Sequence, residues 1–380
     1  MQSFDATIVG AGPAGAATAA LFAQQGRRVL LVDKARFPRP KACAEYVSPG
    51  GVAILDRLGA LARIEATGKR RWLRGMAITA PSGSTHLAEC RDAAGHPRRG
   101  LSVARLVLDP ILLELAAERG AEIRQGFSVR DVLRDGGRVS GVVGPSGERI
   151  RADLVVGADG LHSVVARRLG GSRTNLWPRR LGLIAHYAHV DWPEDFGHIL
   201  VGSHGYAGAA PLDHDGLVTL GLVRAMPTTR LGSPAAALEA GLASFPGLAG
   251  RLAPARLSSP VIGIGPLARR ARRVAGPGFA LVGDAAGFFD PFTGEGIYRA
   301  LRGAELLTAC AETYAHARRR AFGAKERLVL VLQVLVQAPR LTDFAVSRLR
   351  SRPSVATELA NMVGDLCPAR LDVLWRLLGP

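Results

Sequence analysis

Two glycine-rich corners, far apart in the chain, constrain the fold more than any other feature. The first is Gly10-Ala11-Gly12-Pro13-Ala14-Gly15. The second is Gly283-Asp284-Ala285-Ala286-Gly287, followed by Asp290-Pro291-Phe292-Thr293-Gly294-Glu295-Gly296. Each comes after a short apolar run that reads as a strand, and each leads into a helical pattern. Asp5–Val9 is β-type, and Pro13–Gln25 reads as an alanine-rich helix. Gly10 permits the tight turn, Gly12 lets a pyrophosphate approach the backbone, and Gly15 lets helix and strand pack closely. The helix N-terminus at Pro13 and Ala14 favours a phosphate. The next strand, Arg28–Val32, ends at Asp33, an acid placed to accept from ribose hydroxyls. One such corner does not separate NAD from FAD. Two imply one long dinucleotide threaded between them, most simply FAD.

Between the corners, Leu101–Arg105 leads into an amphipathic helix over 106–120, with Leu108, Ile111, Leu112, Leu115 and Ala116 at a helical period. Strand patterns come next at 121–124 and 128–133, with hairpin turns at Asp135-Gly136-Gly137 and Pro145-Ser146-Gly147. Asp153–Val156 is a further buried strand, ending in Gly157-Ala158-Asp159-Gly160.

Four segments, GAGPAG (10–15), RLVLD (105–109), GADG (157–160) and GDAAG (283–287), carry a resemblance to a large group of FAD oxidoreductases. That group includes the aromatic hydroxylases (group A flavoprotein monooxygenases), the geranylgeranyl reductases and the flavin-dependent halogenases. The resemblance spans roughly residues 4–311. It implies an α/β fold with an α+β insertion: a Rossmann-like FAD-binding domain, built as a three-layer ββα sandwich, with an antiparallel substrate sheet and a helical C-terminal tail. It further implies that Gly10, Gly12, Pro13, Ala14, Gly15 and Asp33, with Lys34 beside them, hold the ADP half of FAD. Arg105 would sit near the pyrophosphate and flavin, and Val129 would contact the adenine through its backbone. Asp159 and Gly160 would tie the core to the dinucleotide; this turn is linked to NAD(P)H use, so NAD(P)H is the expected donor. Gly283 and Asp284 would bind the ribityl chain. Pro291, Gly294, Gly296 and Ile297 would lie against the isoalloxazine, with a helix N-terminus near its anionic edge. Asp33 stands where glutamate is commoner, and either carboxylate can accept from ribose hydroxyls.

Phe37–Pro49 (FPRPKACAEYVSP) is similar to the FPRxKxCGxxxSP stretch of the geranylgeranyl reductases, which brings Lys41, Ala42 and Cys43 to the flavin. Aromatic hydroxylases usually carry a histidine where Gly287 stands. Ala44 replaces the glycine usual after the cysteine. Tyr206-Ala207-Gly208-Ala209-Ala210-Pro211 occupies the place of the isoprenoid reductases' YxWxFP, with its large aromatics reduced to Gly208 and Ala209 or Ala210. The WxWxIP of tryptophan halogenases is missing. Loss of two aromatics enlarges or reshapes the substrate pocket.

The expected function is therefore an FAD-dependent oxidoreductase, NAD(P)H-linked, acting on a lipophilic small molecule, with a geranylgeranyl reductase-like double-bond reductase as the lead reading. The alternative is a monooxygenase that hydroxylates or epoxidises an aromatic or polyketide-like compound. A non-catalytic flavin-binding protein is the remote third. Cys43 and Tyr206 are the candidate catalytic residues, as proton donors, against the plainer readings of a buried thiol and a core tyrosine. Lys41 meets the flavin or a phosphate, or is a solvated loop charge. Glu295 either faces the flavin or is a turn carboxylate exposed to water. Cys90, Cys310 and Cys367 read as small buried hydrophobes. The nine histidines include no metal-type pair, and His186 and His189 fall on opposite faces of a strand-like run. There is no HExxH and no nucleophile elbow, so metal and hydrolase readings are poor.

At 380 residues the chain can bury a large core. Residues 1–180 with 266–311 read as the FAD-binding domain, and 181–265 as the substrate sheet, joined by a strand or two from 50–100. Residues 312–380 are a helical tail interrupted at Pro339, Pro353 and Pro368. Its stripe of Leu328, Leu332, Leu335 and Val336 is expected to finish the core, or else to cap a lipophilic tunnel or meet a partner. The net charge is +17, yet no nucleic-acid motif accompanies Arg269–Arg273 or Arg318–Arg320, which read as solvated surface. The first strand begins almost at once, and the longest apolar stretch, 328–336, is too short to span a bilayer. A cytoplasmic protein is expected, with peripheral membrane contact as an option.

Overall fold

The computed structural model describes residues 2–174, 177, 179–192, 194–227 and 232–379. Strand β1 (Ser3–Val9), helix α1 (Pro13–Gln24) and strand β2 (Val29–Asp33) form the opening βαβ unit. Pro13 stands in the first turn of α1, where its missing N–H would have no helical partner anyway. Next come β3 (Gly75–Thr79), β4 (Thr85–Arg91), α2 (Arg105–Glu118), β5 (Glu122–Gln125), β6 (Asp131–Asp135), β7 (Arg138–Val143) and β8 (Arg149–Gly157). A second group comprises β9 (Arg180–Ala188), β10 (Phe196–Gly202), β11 (Gly205–Pro211) and β12 (Val218–Ala225). The chain then returns through β13 (Phe279–Leu281) to α3 (Gly296–Ala309). It ends in α4 (Tyr314–Val336), α5 (Pro339–Ser351), α6 (Pro353–Val363) and α7 (Asp372–Leu378).

Strands β5, β2, β1, β8 and β13 lie side by side and parallel, while the first residues of β8 pair antiparallel with β7, and β7 with β6. The unbroken apolar run of β2 is explained by burial on both faces. Val29 and Leu31 pack with α1, α2 and α3; Leu30 and Val32 pack with Val132, Val139 and Val142 of the β6–β7 hairpin. Helices on one side and a β-hairpin on the other give three layers, the fold class expected from the sequence.

The second sheet runs β9-β12-β11-β10-β3-β4. All of these pairs are antiparallel except β10 with β3. Alternation along its strands separates two environments. Leu183, Ala185, Leu220 and Leu222 pack beneath two short helices, Pro234–Ala243 and Pro246–Leu252, through Leu238, Leu242 and Leu248. Ile184, Thr219, Gly221 and Val223 point the other way, into a cavity.

In the tail, Pro339 and Pro353 open new helices, because proline is tolerated in a first turn and not in an interior. Helices α4 and α5 meet at 116°. Leu328 packs with Leu349, Leu359 and Leu374, and Leu335, Val336 and Leu349 line the cavity, so the apolar stripe both finishes a core and walls the pocket. Two surface expectations are corrected. Arg318 is buried, its guanidinium 5.4 Å from the Phe322 ring centre, because α4 packs that face inward. Cys310 and Cys367 are exposed at helix ends and loops, and only Cys90 of the three is buried. Among the described residues no single helix is long and apolar enough to cross a membrane.

Candidate active site

The first corner carries Gly10 at φ +101°, and a Cβ there would stand 2.5 Å from the Ala158 carbonyl oxygen. A Cβ on Gly15 would meet the Gly10 oxygen at 1.8 Å, so only glycine lets α1 leave the sheet so closely. Gly12 is different. A Cβ on it would approach only the guanidinium tips of Arg105, at 3.4 Å, and Arg39, at 3.6 Å. This opening lies at the start of α1, whose cap residue supplies no side-chain partner to the first N–H groups. Two guanidiniums and a free helix N-terminus facing one gap suit a pyrophosphate. Arg105 is held by two bonds to Asp109, at 2.6 and 2.8 Å. Arg39 Nη1 lies 3.4 Å from Asp109 with no hydrogen bond among the described residues, and burial pushes the Arg39 pKa down.

The neighbouring groups continue the cradle. Asp33 accepts the Ala11 N–H at 2.7 Å and the Ala35 N–H at 2.8 Å, which leaves acceptor capacity for ribose hydroxyls. Lys34 is exposed beside it, and Val129 is buried just before β6. Asp159 accepts the Ser163 hydroxyl at 2.5 Å and the Val164 N–H at 2.6 Å, so it caps the short helix Val164–Arg168; burial pushes its pKa up. Lys41, next to the half-buried Ala42, reaches over Gly160, with Nζ 3.7 Å from where a Gly160 Cβ would stand. Burial lowers the Lys41 pKa against the opposing pull of Asp284. The Asp284 carboxylate receives no hydrogen bond from any described residue, and burial pushes its pKa up. The two corners touch: a Cβ on Gly283 would stand 2.9 Å from the Ala14 Cβ. Gly294 turns through φ +65° beneath the Tyr46 ring, Gly296 opens α3 with nothing within 4 Å of its missing Cβ, and Ile297 anchors that helix in the core. An open pyrophosphate gap at Gly12, an unpaired carboxylate at Asp284 and clear space at Gly296 fit FAD.

The Pro291–Gly294 turn closes one side of an apolar cavity. Ile184, Ile199 and Val223 of the sheet form a second side, and Leu335, Val336 and Leu349 of the tail a third. Tyr206 stands on this wall. Its ring lies edge-on to Phe292 at 5.1 Å, and its hydroxyl donates to Asp290 Oδ1 at 2.5 Å. Asp290 also accepts from Gln333 Nε2 at 2.8 Å and pairs with Arg180 at 3.2 Å. Cys43 precedes Ala44, which lines the cavity, and lies beside Arg105. Its Sγ accepts the Glu45 N–H at 3.3 Å, and burial pushes the thiol pKa up against the pull of Arg105.

Residues 3–322 match the family described as FAD binding domain. The chain belongs to this family. The flavoprotein is similar to a menaquinone reductase of Mycolicibacterium smegmatis, 31% identical over 412 residues that cover 99% of this chain and 96% of the relative. It is similar to a digeranylgeranylglycerophospholipid reductase of Methanothrix thermoacetophila, 31% identical over 78% of this chain and 75% of that one. Among solved structures it resembles the flavin-dependent brominase Bmp2, with a TM-score of 0.85 at 21% identity over 99% of this chain and 98% of the other. At that identity the likeness is one of fold. The flavoprotein is an FAD-dependent oxidoreductase.

Glu295 corrects one expectation of this flavoprotein. It is neither exposed to water nor free: helix α4 covers it, 3.0 Å from Arg299 and 3.4 Å from Lys325. Two polar clusters leave no trace in the local sequence. One joins Asp290, Arg180 and Gln333 behind Tyr206. The other joins Glu45, His186 and Thr219, at 2.7 and 2.6 Å from the carboxylate. Their members lie more than a hundred residues apart in most pairs, and no local spacing signals them. Of these residues Glu45 alone lies inside the reductase-like Phe37–Pro49 stretch.

Proposed function

We propose that this flavoprotein hydrogenates a carbon–carbon double bond in the isoprenoid part of a lipophilic substrate, a prenylated quinone or lipid. The observation that carries the reading is the apolar cavity walled by the substrate sheet, the C-terminal helices and the Pro291–Gly294 turn. A polyprenyl chain is long, apolar and without hydrogen-bonding groups, and such a wall suits it. The named substrates of the two relatives, menaquinone and digeranylgeranylglycerophospholipid, share that chain. When bound, FAD supplies two electrons as hydride. The protein's own part is to hold the dinucleotide on Gly12, Arg105, Asp33 and Asp284, to keep water from the prenyl chain, and to supply a proton. Tyr206 lines the cavity, and Cys43 lies just behind it, before Ala44. NAD(P)H is the donor expected from the GADG turn at Asp159.

The test is anaerobic reduction of the purified holoprotein by NADPH or NADH, followed by a menaquinone with an unsaturated tail. After air has restored any quinol to quinone, mass spectrometry should show a tail heavier by two hydrogens. Oxygen-dependent hydroxylation, with no hydrogen gained in the tail, would overturn the reading in favour of a monooxygenase.

A further inference from the structure

Hydrogenating a double bond adds hydride to one carbon and a proton to the other. A double-bond reductase at this site therefore requires an acid near the cavity. Most of the candidates on or beside the wall are poorly suited. Burial pushes the Cys43 thiol up and the Cys90 thiol up to about 12. The Tyr206 proton is committed to Asp290, and burial also pushes that hydroxyl up. Burial pushes His86 down and His198 down to about 4, so both are neutral near pH 7.

His186 is placed differently. It lies on β9 two residues from Ile184, hence on the cavity-facing side of the sheet, and its cross-strand partner is Thr219. Its Nε2 is 2.7 Å from Glu45 Oε2, and the Thr219 hydroxyl donates to the same oxygen at 2.6 Å. The other oxygen of Glu45 accepts the Arg105 N–H at 2.7 Å, at the edge of the pyrophosphate cradle. Glu45 adopts φ +57°, a left-handed backbone uncommon outside glycine, and it comes directly after Ala44, which lines the cavity. A buried carboxylate in an uncommon conformation thus clasps the cofactor half to the substrate sheet and fixes one imidazole between them.

We propose that His186, oriented by Glu45, is the proton donor of the reduction, a role that rests on the double-bond reductase reading of this site. Its Nε2–H stays on Glu45. Its Nδ1, with no hydrogen-bond partner among the described residues, carries the proton that is transferred. The Nδ1–H bond breaks and leaves its electron pair on the ring. The double bond's electron pair forms the new C–H bond at the carbon beside the one that receives hydride from the bound cofactor. The imidazole regains a proton from water, since 20% of the side chain is accessible. The hydrogen bond to Glu45 raises the His186 pKa above its ordinary value against the opposing effect of burial, and among the described residues Glu45 is the one charged side chain that acts on it.

His186→Gln keeps an N–H directed at Glu45 and removes the acid. In a rapid-quench single turnover with reduced holoprotein and a menaquinone of unsaturated tail, tail hydrogenation should slow by about 10²–10⁴-fold. FAD affinity and the rate of flavin reduction should match the wild type. Independently of substrate, the His186 ring, followed by NMR in the holoprotein, should titrate above the ordinary histidine value, and Glu45→Gln should bring it down. Unchanged hydrogenation in His186→Gln, or a wild-type His186 that titrates at or below the ordinary value, would overturn the proposal. Failure of the wild-type protein itself to hydrogenate the tail would instead overturn the reductase reading, and this proposal with it.

Discussion

The Tyr206 hydroxyl donates to Asp290 Oδ1 at 2.5 Å, and Gln333, from helix α4, donates to the same oxygen at 2.8 Å. One carboxylate thus joins the cavity wall, the Pro291–Gly294 turn and the C-terminal tail. Tyr206→Phe removes one bond and leaves Asp290 with Gln333, the Phe292 N–H and Arg180, so it should cost about 1–2 kcal/mol. Asp290→Ala strands a buried guanidinium and should cost more, about 3–5 kcal/mol. Urea denaturation of both variants checks this ordering. A Tyr206→Phe protein as stable as the wild type would show that the bond contributes nothing.

Gly12→Ala separates a folding role from a ligand role. Gly12 has φ −72° and ψ −176°, open to any residue, and a Cβ there would come no nearer than 3.4 Å to the Arg105 tip and 3.6 Å to that of Arg39, ordinary contact distances. The apoprotein should therefore melt within about 0.5 kcal/mol of the wild type. The methyl group would nevertheless occupy the gap assigned to the pyrophosphate, and FAD affinity should fall at least tenfold, about 1.4 kcal/mol. Fluorescence titration of the apoprotein with FAD reads the effect. Undiminished binding would move the pyrophosphate elsewhere.

The contrast between Gly12 and Glu45 shows what sequence reasoning reaches. The demands on Gly10, Gly12 and Gly15 are local: strand, turn and helix lie within a few residues, so the steric requirement leaves a readable spacing. Strands β1, β2, β8 and β13 likewise show as short apolar runs ending at glycine or acidic corners, whereas their order side by side emerges only in the fold. Glu45 meets His186 and Thr219 only because β9 and β12 pair across the sheet, and nothing near residue 45 encodes that pairing. Gln333 reaches Asp290 only once α4 has packed against the Pro291–Gly294 turn. For the same reason Arg318 and Glu295, charged and apparently free in the sequence, turn out buried against tail residues. Polarity is visible residue by residue, but burial belongs to the assembled fold.

Asp365 should make the tail sensitive to pH. Its side chain is almost wholly buried, accepts the Ser48 hydroxyl at 2.6 Å and meets Lys325. Loss of water is the largest cause that raises its pKa, from 3.8 to about 6, against the pull of Lys325. The folded value lies above the unfolded one, so the folded protein retains this proton longer. The stability it contributes is full below about pH 4 and is lost as pH rises through about 6. The shift corresponds to a loss on the order of 3 kcal/mol. Denaturant midpoints across that window, compared between wild type and Asp365→Asn, isolate the effect from other titrating groups. Identical slopes in the two proteins would assign the pH dependence to other residues.

Gly208 tests whether the cavity holds the long chain. It lies on β11 facing the cavity, and a Cβ there would meet only Ile199 Cδ1, at 3.7 Å. The segment Tyr206–Pro211 places a glycine and alanines where the isoprenoid reductases carry large aromatics, so space is available in the fold for a ring. Gly208→Trp should fill that space without touching Gly12, Asp284 or the two glycine corners. FAD affinity and reduction of the flavin by its donor should stay within about twofold of wild type, roughly 0.4 kcal/mol. Hydrogenation of a long prenyl tail should fall by at least tenfold, because the bulk acts only on the substrate. A short prenyl alcohol, which needs less of the cavity, should lose less than the long tail does. If both substrates lose activity equally, the tryptophan acts through the flavin turn and not through chain length; if neither does, the chain does not pass Gly208, and the tail helices lining the far wall have another use.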